Sequence, residues 1–162
     1  MKKILLTLTL ILVALICSCT RNYGILDYQN KDIVAECKIN EKYKTEIIKT
    51  ADLCKIRVLE PIDAQGIEFE ITKDGAYVAY NDLKIEMSKE SLKGVCAIAS
   101  IFSQSEEYLT GAWDEKGKSV LTFEQNGTHF QITLGENSTP KRVKILNEAF
   151  EYDIEICTIK LT

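Results

Sequence analysis

The sequence predicts a mostly β protein of the α+β class: about ten antiparallel strands in a curved sheet or incomplete β-barrel, with one covering helix between strands 6 and 7. Short runs alternate between apolar and polar residues, as half-buried strands do. Asp74-Gly75, Asn81-Asp82 and Asn126-Gly127 punctuate these runs as hairpin turns. Only the segment from Ser88 to Leu109 has a helical period, and 162 residues correspond to one domain.

Six predicted strands precede the helix. In strand 4, Phe69 and Ile71 face one side while Glu68 and Glu70 face the other. Strands 1 and 2 pair across Glu41-Lys42, and Pro61 ends strand 3 because proline cannot donate to a ladder. The six ranges are Ile33–Asn40, Tyr43–Lys49, Leu53–Leu59, Gly66–Lys73, Ala76–Tyr80 and Leu83–Met87.

The predicted helix has an apolar stripe with a spacing of three to four residues. Ser88 is the expected N-cap and Gly111 the expected stop. Gly94 inside it costs roughly 1 kcal/mol relative to Ala, so either a neighbouring group approaches closely or tertiary packing tolerates an irregularity. The stripe consists of Leu92, Val95, Cys96, Ala99 and Phe102.

Four more strands follow the helix. Asn126-Gly127 joins the first two as the strongest hairpin signal in the chain. In the last strand the apolar phase changes, and a bulge near Ile156 to Thr158 would restore the register. The four ranges are Ser119–Glu124, Thr128–Leu134, Arg142–Leu146 and Phe150–Leu161.

The N-terminus resembles a bacterial lipoprotein signal. Lys2 and Lys3 precede the apolar run from Ile4 to Ile16, which is shorter than the ~20 residues that span a bilayer. Ile16 and Ser18 stand three positions and one position before Cys19, as in the motif whose cysteine is diacylated. We therefore expect a signal peptide over 1–18, lipidation at Cys19, a tether or short helix over 19–31 and one β-domain over 32–162. Ordinary secretion and an uncleaved anchor helix are the alternatives.

The charge balance argues against nucleic acid as a partner. The formal net charge is -4, and it becomes -6 when Lys2 and Lys3 leave with the signal peptide. Phosphate binding requires a basic patch that releases counterions. A weakly acidic surface is instead typical of a soluble domain.

The cysteines and the histidine do not form a familiar metal motif, and no cofactor is expected. Cys37, Cys54, Cys96 and Cys157 remain in the predicted domain without a CxxC pair, and His129 is the sole histidine. In an exported protein the four cysteines permit two disulfides with three possible pairings. Each also lies on an apolar register, so buried thiols are the alternative.

The residues do not favour an enzyme. His129 lies on the polar side of its strand, and no nucleophile-elbow, dinucleotide or P-loop motif is present. Glu68 and Glu70 share a strand face, as do Glu151, Asp153 and Glu155. Such carboxylate rows opposite apolar residues are normally the solvated side of a sheet.

The chain resembles the LolA/LolB and LppX group of lipoprotein and lipid carriers in the order of its elements. That order is a lipidation motif, six meandering strands, a helix and four more strands. Glu60-Pro61, Gly66-Ile67 and Tyr80 to Leu83 also resemble small lipoproteins of Firmicutes. The resemblance implies an incomplete antiparallel barrel that is covered by helices and holds acyl chains in an apolar cavity. It also implies a location outside the cytoplasm.

Two functions remain open. The first is a membrane-anchored protein that binds a lipid or another apolar ligand in a concave groove. The second is a packed interaction or sensor module of the cell envelope, with a protein partner and no small ligand. In the first function eight apolar side chains line a ligand cavity, and in the second they close into an ordinary core. These eight residues are Phe69, Ile71, Val78, Ile85, Phe102, Phe123, Phe130 and Ile132.

Overall fold

The computed structural model describes residue 28, residues 30–135 and residues 138–162. The predicted signal peptide, Cys19 and most of the segment 19–31 lie outside these residues. Within the described ranges the chain forms one sheet of eleven antiparallel strands and one α-helix, α1 (Lys93–Ala99). The mostly β fold class, with a helix between strands 6 and 7, is thereby confirmed.

Neighbouring strands of the sheet follow one another in sequence, with one exception. The spatial order is β6-β5-β4-β3-β2-β1-β11-β10-β9-β8-β7, so β1 pairs with β11 and the sheet stays open between β6 and β7. The sheet is therefore an incomplete barrel. Its strands are β1 (Ile33–Ile39), β2 (Tyr43–Lys49), β3 (Leu53–Glu60), β4 (Glu68–Thr72), β5 (Ala76–Tyr80), β6 (Leu83–Met87), β7 (Leu109–Glu115), β8 (Lys118–Gln125), β9 (Thr128–Leu134), β10 (Pro140–Asn147) and β11 (Phe150–Leu161).

The predicted helix was too long at both ends. The N-cap is Leu92, without a side-chain hydrogen bond, whereas Ser88 caps the preceding turn by accepting a 3.0 Å hydrogen bond from the Ser91 N–H. After α1 the chain continues as two 3-10 turns, Ser100–Ser103 and Glu106–Tyr108. There the Ser100 hydroxyl donates to the Ala97 carbonyl, and the Gln104 amide donates to the Ser100 carbonyl. Such local side-chain bonds compete with helix continuation.

Strand β7 was not predicted. Gly111, the expected helix stop, lies inside this strand, and a register shift between Leu109 and Gly111 breaks the alternation by which strands are recognised. A tight turn with positive φ at Lys116 (50°) and Gly117 (78°) then leads into β8. Five strands rather than four therefore follow the helix.

Positive φ values occur at three of four predicted hairpin turns. Asn126 and Gly127 have φ of 51° and 69°, and Asn81 has φ of 53°. The first hairpin bends one residue earlier than predicted, with positive φ at Asn40 and Glu41. The predicted hairpin at Asp74-Gly75 forms between β4 and β5, but the positive φ expected there is wrong, since neither residue has one.

The loop from Lys73 to Gly75 is closed by its flanking threonine instead. The Thr72 N–H donates to the Gly75 carbonyl at 2.9 Å, and the Gly75 N–H donates to the Thr72 hydroxyl at 3.0 Å. A side-chain hydroxyl thus supplies the bond that closes the turn.

The predicted bulge in the last strand is confirmed. Cys37 pairs with Ile156 and Glu36 pairs with Thr158, so Cys157 is the extra residue. The phase of β11 changes there, which lets apolar residues on both sides of the bulge face their neighbours.

The core lies between the concave face of the sheet and the helical segment. Phe102 is completely buried, and the Tyr28 ring meets it edge-on at 6.4 Å between ring centroids. Gly94 packs so closely on Tyr152 that a Cβ would lie 2.4 Å from the Tyr152 Oη. The prediction that a neighbouring group approaches Gly94 closely is therefore confirmed.

Candidate apolar binding face

The inner side of strands β4 to β6 is apolar and partly uncovered. The cross-strand register aligns Ile56, Phe69, Val78 and Ile85 in one row. Along this row the exposed fraction rises from 3% at Ile56 to 59% at Ile85, with the two residues between them half-buried. The row leaves the core and continues into solvent.

Two further rows run beside it. Ile71, Ala76 and Met87 align in one of them, and Tyr80 pairs with Leu83 in the other. Tyr80 is 49% exposed and Leu83 is 68% exposed. We call the partly or largely exposed members of the three rows the open face: Phe69, Ile71, Val78, Tyr80, Leu83, Ile85 and Met87.

The open face exists because the covering helix is short. A seven-residue helix is about 10 Å long, and α1 lies against β3 and β4. Strands β5 and β6 add two more spacings of about 4.8 Å each beyond β4. Their inner side chains therefore extend past the helix.

The structure places the eight predicted groove residues in two settings. Phe102, Phe123, Phe130 and Ile132 are at most 2% exposed and belong to the closed core. The other four residues lie on the open face: Phe69, Ile71, Val78 and Ile85. The sequence left open whether these eight residues close into a core or line a groove. Four of them lie in a closed core, and the other four lie on a partly exposed face. That any of them contacts a ligand stays a prediction.

Sequence reasoning missed three members of the open face, although the signal was present. Tyr80, Leu83 and Met87 have the same alternation phase as Val78 and Ile85 on β5 and β6. They were passed over because alternation alone does not tell a covered strand from an uncovered one.

Two pockets flank α1. The first has a volume of about 410 Å³ and lies between the helix, β3 and β4; we call it the β3 pocket, and its lining includes Lys49, Cys54, Ile71, Cys96 and Ser100. The second, of about 420 Å³, lies towards the β8–β9 turn. Both volumes fall within the range of small-molecule sites.

The opposite, convex side of the same strands carries charged residues that are paired with one another. The Arg57 guanidinium lies 2.6 Å from Glu68 and 3.4 Å from Glu46. Lys55 Nζ lies 3.2 Å from Glu68 and 2.9 Å from Glu70, and Lys84 also pairs with Glu70. These contacts form the ion ladder, which links β2, β3, β4 and β6.

The ion ladder accounts for the carboxylates that share a face on β4. The hydrogen bond from Arg57 holds the pKa of Glu68 below its ordinary value of 4.5, and the hydrogen bonds from Lys84 and then Lys55 lower the pKa of Glu70. The two carboxylates thus have similar environments, whereas the environments of an acid–base pair push the two pKa values apart. They stabilise the sheet on its solvated side.

The other polar candidates are also placed on the surface. His129 is exposed, with its Nδ1 3.7 Å from Glu124. On β11, Asp153 accepts two hydrogen bonds from Arg142, at 2.7 and 2.6 Å, and this pairing lowers the pKa of Asp153. Across the part of the chain that the structure describes, no three metal-ligating side chains gather at one point.

The chain is similar to known proteins in its fold and not in its sequence. No protein-family model and no curated protein matches the sequence. Among solved structures, the chain is similar to an uncharacterized conserved protein from Thermus thermophilus, with a TM-score of 0.54 and 15% identity over 85% of this chain and 83% of the other. This similarity supports the fold alone.

Two other similar structures carry descriptive names. One is a putative outer membrane lipoprotein-sorting protein domain from Vibrio parahaemolyticus (TM-score 0.47, 10% identity, 88% of this chain and 90% of the other). The other is a LolA superfamily protein from Nitrosomonas europaea (TM-score 0.46, 9% identity, 86% and 90%). A LolA protein is thus among the structures that the chain resembles, as the sequence predicted. The resemblance to small Firmicutes lipoproteins stays a prediction.

In the described residues, no helix combines the length and the hydropathy needed to cross a membrane.

Proposed function

We propose that the chain is an extracytoplasmic lipoprotein, anchored through an acylated Cys19, whose open face binds the acyl chain of a lipid or another apolar molecule. The observation that carries the proposal is the open face. Monomeric domains rarely expose a contiguous apolar patch of this kind unless it binds something. The proposed role is binding rather than catalysis.

The dimensions of the open face fit a single chain of hydrocarbon. A five-residue strand such as β6 is about 17 Å long, and half of a bilayer core is about 15 Å thick. An acyl chain lying along β6, over Leu83, Ile85 and Met87, would therefore match the length of the strand. Completely burying a side chain such as Leu83 contributes about 1.5–3 kcal/mol.

The predicted lipidation motif supports the location. Ile16, Ser18 and Cys19 have the spacing of a lipoprotein signal, and an acylated cysteine would hold the domain at a membrane surface. A protein held there lies next to the source of the proposed ligand. The partners are then the membrane, through Cys19, and the lipid itself.

A lipid-extraction and binding experiment tests the proposal. The full-length chain, purified in a mild detergent, is titrated with a fluorescent fatty acid, and co-purified lipid is identified by mass spectrometry. We expect Ile85→Asp to lower the affinity at least tenfold with an unchanged Tm, because Ile85 is exposed on the open face. Glu86→Gln, one position along the same strand and on the opposite face, is the matched control and should bind normally.

Equal affinity in Ile85→Asp and Glu86→Gln would contradict the proposal, as would the absence of both bound lipid and fatty-acid affinity in the wild-type protein. Mass spectrometry of the intact chain tests the anchor separately, because diacylation adds a defined mass at Cys19.

The alternative is an interaction module whose protein partner covers the same surface. One observation favours it: β6 is an edge strand whose five residues are all exposed, and edge strands can pair with a strand from a partner. Crosslinking in cells would then trap a protein at β6, and the fatty acid would not compete with it.

A further inference from the structure

The four described cysteines are not equivalent. All of them carry free thiols, but Cys37 and Cys54 are buried, Cys96 is half-buried and Cys157 is exposed. Sequence alone permits three ways of pairing them. Their positions in the sheet separate these possibilities.

Cys37 and Cys157 lie on adjacent strands but differ in burial. Cys37 is 0% exposed within the core, whereas Cys157 is the exposed extra residue of the bulge in β11. A disulfide requires Cβ atoms about 3.5–4.5 Å apart that point towards each other. The difference in burial between the two thiols therefore disfavours this pair.

Cys54 and Cys96, in contrast, line the same pocket. Cys54 is on the inner side of β3, and Cys96 is on α1, the element that packs against β3; both contribute to the β3 pocket. Cys54 is 8% exposed and Cys96 is half-buried, so both thiols lie at the boundary between the pocket and the core. No sheet separates them.

We propose that the β3 pocket is an oxidation site, where Cys54 and Cys96 form a disulfide in the presence of a disulfide oxidant. The inference does not require an apolar ligand on the open face, and it holds for any compartment that supplies such an oxidant.

The reaction proceeds by two thiol–disulfide exchanges. The Cys96 thiolate attacks one sulfur of the oxidant, the oxidant's S–S bond breaks, and one thiolate leaves. The Cys54 thiolate then attacks the Cys96 sulfur of the mixed disulfide and expels the second thiolate. The two cysteines together lose two protons and two electrons, and the oxidant becomes two thiols.

The structure indicates this order of attack. Burial raises the pKa of the Cys54 thiol to about 12, whereas Cys96 is more exposed and the nearby Lys89 opposes the effect of its burial. The thiol that meets an oxidant in solution is therefore Cys96, and Cys54 resolves the intermediate.

The bond would enclose the whole open region. Strands β4, β5 and β6 all lie between residues 54 and 96, so the disulfide would join the two ends of the segment that carries the open face. It would also fix α1 to β3 and restrict movement of the helix over the β3 pocket.

Peptide mapping in a redox buffer tests this pairing. The full-length chain in detergent is equilibrated with reduced and oxidised glutathione, alkylated and digested with trypsin, which releases Cys54 in residues 50–55 and Cys96 in residues 94–116. We expect these two peptides to be linked in preference to every other pair, and the oxidised protein to melt on the order of 10 °C higher. Cys96→Ser should abolish both effects, while Cys157→Ser, the exposed control, should keep them.

The pairing is overturned if Cys37 or Cys157 is the preferred partner of either peptide. It is also overturned if both thiols stay fully alkylated in oxidised buffer while circular dichroism shows a folded protein. Fatty-acid binding is measured separately, so failure of the disulfide leaves the proposed ligand untouched.

Discussion

The two halves of the sheet follow one sequence pattern and reach opposite outcomes. In the covered half, formed by β1, β2 and β8 to β11 together with the 3-10 turn that carries Phe102, inner residues such as Ile132 and Ile154 are completely buried. In the wing, formed by β4 to β6, Ile85 on the same alternation is 59% exposed. Strand pattern decides which side chains face inward, and the length of the covering element decides whether they are buried.

The two halves are also stabilised on different sides. The covered half has its apolar core on the concave face. The wing lacks much of that cover, and on its convex face the ion ladder joins it to β3, where Lys55 and Arg57 each contact two carboxylates. A region built in this way can stay folded while one apolar face is free to bind.

The largest expected difference between the halves is the effect of truncating a side chain. Phe102→Ala in the covered half should lower the free energy of unfolding by about 3–5 kcal/mol, because Phe102 is 0% exposed and its removal leaves a cavity. Ile85→Ser in the wing, at an exposed position, should change it by no more than about 0.5 kcal/mol. Urea unfolding of both variants measures the difference, and equal losses would show that the wing is covered in solution.

A smaller effect is expected at the contact between α1 and β11. Gly94→Ala normally stabilises a helix by about 1 kcal/mol, but here the new Cβ would lie 2.4 Å from the Tyr152 Oη. Tyr152 stacks on Phe150 at 5.3 Å between centroids, which limits its movement. We expect a net loss of about 1–2 kcal/mol.

The variant Tyr152→Phe supplies the control for this contact, since it removes the atom nearest to the new methyl group. Gly94→Ala should cost less in the Tyr152→Phe background than in the wild-type protein, as a double-mutant cycle in urea would measure. Equal costs in both backgrounds would mean that α1 does not pack on β11 as described.

The smallest expected effect is the pH dependence of the ion ladder. The pKa values of Glu68 and Glu70 are lower in the folded chain than the ordinary 4.5, so the unfolded chain binds protons first as the pH falls. Their stabilising contribution is complete above pH 4.5 and is lost as the pH decreases through the lower, folded values. Urea unfolding from pH 7 to pH 3 measures the free energy of unfolding at each pH. This free energy should decrease less steeply in the double variant Glu68→Gln/Glu70→Gln than in the wild-type protein.

Asp153→Asn is the matched variant outside the wing, because Arg142 lowers the pKa of Asp153 in the same direction. Asp153→Asn should reduce the pH dependence of the free energy of unfolding by less than the double variant does, because it removes one carboxylate instead of two. A double variant with the wild-type pH profile would contradict the ion ladder.

Most of the fold could be predicted from local chemistry. Asn126-Gly127 specified its hairpin because both residues accept positive φ, and the phase change in β11 specified the bulge at Cys157. The helix was predicted too long because its apolar stripe reaches Phe102, whereas Ser100 and Gln104 divert backbone bonds through their side chains. Strand β7 was hidden by its irregular register.

The candidate site could be predicted in part. Alternation placed Val78 and Ile85 on the inner side correctly, and it placed Phe123 and Phe130 there as well. Their different exposures depend on how far α1 reaches across the sheet, which no local pattern encodes. The same limit applies to the cysteines, whose relation depends on long-range packing.

The buried ring of Tyr28 marks where the described domain begins relative to the proposed anchor. Tyr28 packs edge-on against Phe102, and nine residue steps separate it from Cys19 in the sequence. At most about 3.6 Å per residue, those steps reach roughly 32 Å. If Cys19 is acylated, as proposed, the domain stays within about its own diameter of a single bilayer and would exchange its cargo with that leaflet rather than ferry it across the envelope.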